Sequence, residues 1–349
     1  MGDHASGHLG PLHSPILREA RILGPQDKAA ESNRLSIEIL EGPLRGRRVP
    51  GFFGWLGVPP KRGEIVLVNT VGLEMELGTG GAAMVFPSSG GIAPRNENHF
   101  VKLPYTPLQC PASPPVQAEN LAGVPVVVLP LHSHLAPACC AAADVRSGSR
   151  VSFVWQEGGA LPVALSETVN LLRERGLLRS VVSAGNCFGG DVEAPNIYSG
   201  LLAATANSDI VLVGIGPGAV GTGAPYGHGG MSAATALNAA CALGAQPVLA
   251  PRISAADSRR RHLGFSHHTR SVLRAALGGI RVALPPSASN LSTDDFPQRH
   301  GYAESSYDAA GLEARFGVTF ASMGRTYSGD RVFFDCAAAA VALALKETG

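Results

Sequence analysis

Apolar residues gather in six short runs through the C-terminal two-thirds of the chain: Val124–Leu129, Arg150–Trp155, Ser180–Ala184, Asp209–Ile215, Gln246–Ala250 and Ile280–Leu284. Each has the length of a buried strand and ends in a loop rich in Gly, His, Asp, Glu or Arg, and helix-like stretches follow the first five. This alternation predicts a Rossmann-like three-layer α/β/α domain with a mostly parallel sheet over residues 120–349. Leu165–Arg175 reads as an amphipathic helix, with Leu165, Val169 and Leu172 on one face and Ser166 placed to cap it. Ser232–Leu243 and Ala337–Leu345 read as Ala-rich helices, for which internal packing is expected ahead of a subunit contact.

Upstream the period drops to two. Leu35-Ser36-Ile37-Glu38-Ile39 alternates, and β-rich runs follow at Glu64–Asn69, Ala82–Phe86 and His99–Leu103, punctuated by Gly and Pro. They predict a small antiparallel β domain, barrel or sandwich, over residues 34–108. Prolines crowded between Tyr105 and Pro115 mark a linker at 109–119, and residues 1–33 are expected to be a mobile tail with one short helix around Ile16–Leu23.

A formal net charge of +1 gives no general attraction to nucleic acid or to an acidic membrane. Aromatic residues are only 6%, and the one dense basic cluster is confined to a single loop, so nucleic acid is not an expected partner. Cys336–Leu345 is too short to cross a bilayer, the first fifteen residues do not form a secretory signal, and none of the six cysteines stands in a C-x-x-C pair. A reducing, cytoplasmic location and no membrane partner are the expectation.

In parallel sheets ligands bind outside the carboxyl ends of the strands, so the loops after the six runs are where chemistry is sought. Leu131-His132-Ser133-His134-Leu135 could present two imidazoles to one divalent metal if the segment is extended. Ser183–Asn196 brings Cys187, three glycines, Asp191 and Glu193 before a helix that Pro195 and Asn196 are placed to open. Its carboxylates suit acid–base work, metal or ribose contacts, or simple helix capping, and Cys187 reads as an inert thiol.

Gly216-Pro217-Gly218-Ala219-Val220-Gly221 fits G-x-G-x-x-G, yet Thr222–Gly230 separates it from the next helix, and Arg252 stands where a ribose-binding acid is expected. A dinucleotide site is therefore disfavoured, and the glycines are read as backbone donors to an anion beside His228. The loop from Arg252 to Arg270 holds five arginines and three histidines, with Ser266 placed to cap a helix that starts at His267 and His268. It reads either as phosphate or carboxylate recognition or as a solvated charged face.

Several phrases together resemble an uncharacterised bacterial family, the domain of unknown function 3866. They include Gly63-Glu64-Ile65-Val66-Leu67-Val68-Asn69-Thr70, Leu77–Gly81, Val101–Gln109, Phe188-Gly189-Gly190-Asp191, Asn196-Ile197-Tyr198-Ser199, Gly216-Pro217-Gly218 and Ser266-His267-His268-Thr269. The resemblance runs over about residues 35 to 330. It implies the two-part layout and carries over no catalytic residue.

The residues thus lead to an expected enzyme, a hydrolase or group transferase acting on a small anionic, phosphorylated or nucleotide-like ligand. Asp191, His228, His267 and His268 would serve catalysis, and Gly216, Gly218, Gly221, Asn196 and Arg252 would bind the ligand. His132 and His134 would hold a divalent metal, and no other cofactor is specified. A non-catalytic metabolite sensor or scaffold is the rival class, and a homo-oligomer is compatible with the Ala-rich helices.

Overall fold

The computed structural model of the chain describes residues 16–26, 34–53, 60–75, 81–86, 101–104, 109–222 and 224–346. It divides into two units, Met1–Glu97 with Tyr105–Leu108, and Asn98–Pro104 with Gln109–Gly349.

In the first unit β1 (Leu17–Pro25), β2 (Arg34–Ile39), β3 (Arg48–Phe53), β4 (Ile65–Asn69) and β5 (Ala83–Val85) close into a barrel in the order β1-β2-β3-β5-β4, and α1 (Val71–Glu74) is a single turn after β4. Neighbours are antiparallel except β3 and β5. The period-two pattern has its expected result: Leu35, Ile37 and Ile39 of β2 point inward with Val66 and Val68 of β4.

The helix expected around Ile16–Leu23 is instead β1. Its Leu, Arg, Glu and Ala favour a helix in isolation. Pairing with β2 on one side and β4 on the other overrides that preference, and Ala20 and Ile22 become part of the barrel core. The barrel interior is narrow at Gly51, where a Cβ would stand 2.7 Å from Ile37 Cγ2 and 2.9 Å from Val85 Cγ2. Gly51→Val should therefore destabilise this unit by about 1–3 kcal/mol, read as a lower denaturation midpoint. An unchanged midpoint would mean that the interior can yield.

The second unit opens with β6 (Val101–Lys102) paired to β7 (Cys110–Pro111), so the stretch expected as a linker begins with a strand of this unit. Its sheet strands are β8 (Val126–Leu129), β9 (Val151–Gln156), β10 (Ser180–Ala184), β11 (Val192–Ala194), β12 (Ile210–Ile215) and β13 (Val248–Leu249), with two more after a short ribbon of β14 (Ile253–Ser254) and β15 (Gly264–Phe265). Those two are β16 (Arg281–Leu284) and β17 (Gly301–Glu304), and a last ribbon joins β18 (Ala321–Ser322) to β19 (Arg325–Thr326). All neighbours in the sheet are parallel, in the order β11-β10-β9-β12-β8-β13-β16-β17. Each of the six expected runs holds one of these strands.

The helices are α2 (Leu135–Val145), α3 (Glu167–Glu174), α4 (Ile197–Thr205), α5 (Ser232–Ala242), α6 (His267–Ala275), α7 (Leu312–Phe316) and α8 (Arg331–Lys346). One face of the sheet is covered by α2, α3, α7 and most of α8, the other by α4, α5 and α6. Sandwiched between them, β8, β9 and β12 are buried along their whole length, which is why they read as continuous apolar runs. Ala-rich α5 and α8 bury their small side chains inside the unit, allowing backbone to approach sheet closely.

Candidate functional site

β8 and β12 are adjacent, yet α2 leaves β8 toward one face of the sheet and α5 leaves β12 toward the other. Helices diverging from neighbouring parallel strands leave a crevice at the carboxyl ends, the topological switch point where open α/β sheets bind ligands. Here the crevice is a cavity of about 580 Å³, within the range of small-molecule sites. The turn after β8 supplies His132 and Ser133, the loop after β12 supplies Gly216, Gly218, Gly221 and His228, and Arg252 follows β13. Arg259, Arg261, His262, His267 and His268 complete that side.

Among the described residues, three arginines and no carboxylate line this cavity. Arg252 lies at its base, only 3% exposed, and donates to Asp257 (3.3 Å) and to His268 Nδ1 (3.3 Å), while its Nε has no partner. Arg259 forks onto Asp257 through two bonds of 2.9 Å, and Arg325 reaches the same carboxylate from behind at 3.5 Å. One carboxylate thus serves three guanidinium groups, and Asp330 offsets only Arg325. The arginines hold Asp257 well below the usual carboxylate range, Arg259 by its direct bond most of all. The surplus positive field points into the cavity.

Burial and this field disfavour the charged form of the imidazoles. Burial, reinforced by neighbouring histidines and Arg252, pushes His268 down to about 2. Burial and Arg252 push His262 down to about 3, and burial also lowers His228 and His267. Ser266 caps α6 by accepting from the His268 backbone N–H at 3.2 Å and bonds His262 Nδ1 at 2.7 Å, so one hydroxyl holds the helix start and the His262 ring. His228 and His268 stack with centroids 3.7 Å apart.

The glycines have several jobs. At Gly216 a Cβ would strike Trp155 Cζ2 at 2.3 Å, and at Gly221 it would lie 2.9 Å from His228 Cβ, so both are demanded by close packing. Gly218 has φ +75°, a conformation most side chains avoid. The loop runs against the one after β9, Ala160 N–H donating to the Pro217 and Gly218 carbonyls.

Of the residues singled out in the sequence, His132, Gly216, Gly218, Gly221, His228, Arg252, His267 and His268 line this one cavity. Others do not. Asp191 immediately precedes the border strand β11, and there it pairs with Arg173 and accepts from Val181 N–H. That is the amino edge of the sheet, opposite the cavity. Asn196 caps α4, accepting from Ser199 N–H at 3.0 Å, at the end of a strand three places from β12.

His134 is fully buried against Phe333, its ring 4.5 Å away, and burial pushes it down to about 3. The H-x-H segment is one tight helical turn, so its rings diverge: His132 faces the cavity and bonds Ser166 Oγ at 2.7 Å, while His134 enters the core. Among the described residues, the group of three potential ligands whose atoms converge is His228, His267 and His268 instead.

The Cys187–Glu193 loop is a structural clasp. Lys102, 3% exposed, donates to the Ser183 carbonyl (2.9 Å) and to Glu193 (2.7 Å), whose other oxygen accepts from Gly189 and Gly190 N–H. Burial pushes the Cys187 thiol up to about 12, which disfavours the nucleophilic thiolate. Lys102→Ala strands Glu193 without its cation and should cost about 2–3 kcal/mol by urea denaturation. Lys102→Ala with Glu193→Gln should recover part of that loss, and no recovery would mean that the lysine acts through packing alone.

Arg259, Arg261 and His262 were legible as part of a basic loop but not as cavity residues, and Thr168, Ser322 and Met323 carried no signal. Met323 and Gly324 form the two-residue turn between β18 and β19, with φ of 50° and 77°. A methionine at positive φ is costly, and asparagine is the usual occupant of such a turn. Met323 sits on the cavity rim with its sulfur 3.0 Å from Arg259.

A family model described as Protein of unknown function (DUF3866) matches residues 53–341. The chain belongs to this family. The matched span takes in every residue of the cavity. No curated protein and no solved structure matches the chain with significance. All six cysteines are free, and among the described residues no helix is long and apolar enough to cross a membrane.

Proposed function

We propose that this member of the family binds a small anionic ligand, phosphorylated or nucleotide-like, at the switch-point cavity and acts on it by hydrolysis or group transfer in the cytoplasm. One observation carries the proposal: a cavity of small-molecule size lined, among the described residues, by three arginines and no carboxylate. Arginine forks match phosphate oxygens, and a partly desolvated site strengthens each such bond. The N-terminus of α6 adds a favourable end of its dipole.

For proton transfer the site offers imidazoles of two kinds. His262 and His268 bind protons too weakly to act as bases near neutrality, whereas His228 and His267 are lowered less and are the candidates. Those weak bases also favour a second reading, a metabolite sensor that holds the ligand unchanged.

Incubation with nucleoside phosphates and sugar phosphates, followed by mass spectrometry of the small molecules, separates the two. Conversion of one of them, lost in Arg252→Leu and slowed in His267→Ala, supports the enzyme. Saturable binding with no conversion supports the sensor, and neither binding nor conversion removes both.

A further inference from the structure

Beside the arginines, the same cavity holds a second set of donors. His228 is 6% exposed; its Nε2–H donates to the Pro225 carbonyl at 3.1 Å, which leaves the lone pair on Nδ1, and that nitrogen has no partner. His267 has a buried Nε2 without a partner. His268 Nδ1 is occupied only by a long 3.3 Å bond from Arg252. One ligand atom from each of the three lies within 4.8 Å of the others.

A glycine borders two of the three. A Cβ on Gly230 would fall 3.0 Å from His228 Nδ1 and 3.4 Å from His268 Nδ1, so both nitrogens border the volume that a side chain there would fill. Gly230 has no positive φ to explain its identity. Close packing thus already favours glycine here, and the missing side chain also keeps a Cβ clear of both imidazole nitrogens.

We propose that His228, His267 and His268 form a three-imidazole site for a zinc-class divalent transition ion, the fourth position left to water or to the anionic ligand. The inference rests on the reading of this cavity as a binding site, names its second occupant, and in the metal-bound form makes His228 and His267 ligands in place of proton carriers. Imidazole donors suit zinc and its neighbours, and the absence of a lining carboxylate among the described residues disfavours magnesium and calcium. Three protein ligands with an open position is the arrangement of catalytic rather than structural zinc.

Closing the site on an ion at bond lengths of about 2.0–2.1 Å requires the His268 ring to turn out of its stack on His228, releasing Arg252. The nearby arginines oppose a bare dication, so the ion and an anion bind best together. Phosphate should accordingly raise the metal affinity, and by linkage the metal should raise the phosphate affinity equally.

The test is a titration of cobalt(II) into chelator-stripped, phosphate-free protein, followed by the visible absorption of four-coordinate cobalt. One equivalent should bind with a four-coordinate spectrum. His228→Ala and His267→Ala should each weaken it at least tenfold. Gly230→Ala, which keeps every imidazole, should weaken it similarly while the folded fraction, read by circular dichroism, stays unchanged.

Absence of a stoichiometric cobalt spectrum, or one that survives His228→Ala and Gly230→Ala alike, overturns the site. Phosphate binding, measured separately with chelator present, distinguishes the two failures. Phosphate without cobalt removes only the metal, and cobalt without phosphate removes only the anion reading.

Discussion

Arg252→Leu combined with Arg261→Ala should eliminate measurable binding of inorganic phosphate and phosphorylated metabolites at the switch-point cavity. Each guanidinium donates charge-assisted bonds of the kind worth about 1.5–3 kcal/mol, so each single variant should weaken binding by about ten- to a hundredfold. The two act from different places. Arg252 lies buried at the base, and Arg261 is exposed on the wall with no carboxylate partner among the described residues. Asp257 keeps Arg259 and Arg325 in the double variant, so the fold should persist. Titration calorimetry with phosphate, beside a thermal melt, reads both quantities. Unchanged affinity in a folded double variant would mean that anions are held elsewhere.

Asp257→Ala should have the opposite profile, a large loss of stability. Its side chain is 1% exposed and accepts from Arg252, Arg259 and Arg325. Without it Arg252 is a buried cation with no carboxylate, a change that costs about 3–5 kcal/mol in comparable buried pairs. The pH dependence carries the same sign. Because the arginines depress the folded-state pKa of Asp257 below the ordinary aspartate value, its contribution is present above that ordinary value. It is lost as the pH falls from there toward the lower folded-state value. Wild-type protein should therefore lose stability on acidification below about pH 4, and Asp257→Asn should lack that component of the loss. A urea midpoint for Asp257→Ala equal to wild type would show that the arginines need no counter-charge.

The sequence revealed the sheet because buried parallel strands leave continuous apolar runs, as at Val151–Gln156 and Ile210–Ile215. It hid β11 and β17, short border strands covered on fewer sides, whose residues Val192–Ala194 and Gly301–Glu304 form no apolar run. The first barrel strand was hidden for a different reason. Leu17–Leu23 is composed of helix formers, and only its pairing partners, fifteen or more residues away, make it extended.

The same division runs through the site. His228, Arg252, His267 and His268 follow strands that could be placed, so their convergence was legible. Asp191 went astray because an unrecognised parallel strand follows it, so the chain after β10 first returns to the amino edge and leaves the carboxylate there. The H-x-H pair went astray because a helical turn, not a strand, follows Leu131, and two residues along a helical turn point in different directions. Ser322 and Met323 come from a ribbon near the C-terminus that reaches the cavity only through tertiary packing.

Native mass spectrometry of untagged wild-type protein, purified gently in phosphate-free buffer without chelator and then mixed with inorganic phosphate, pyrophosphate or a nucleoside monophosphate, tests the central claim most directly. A one-to-one adduct with a phosphorylated compound, carried over or added, is predicted for wild type and should be missing from Arg252→Leu/Arg261→Ala. A clean apo mass with every added anion, or identical adducts on wild type and the double variant, would contradict the assignment of this cavity as the anion site.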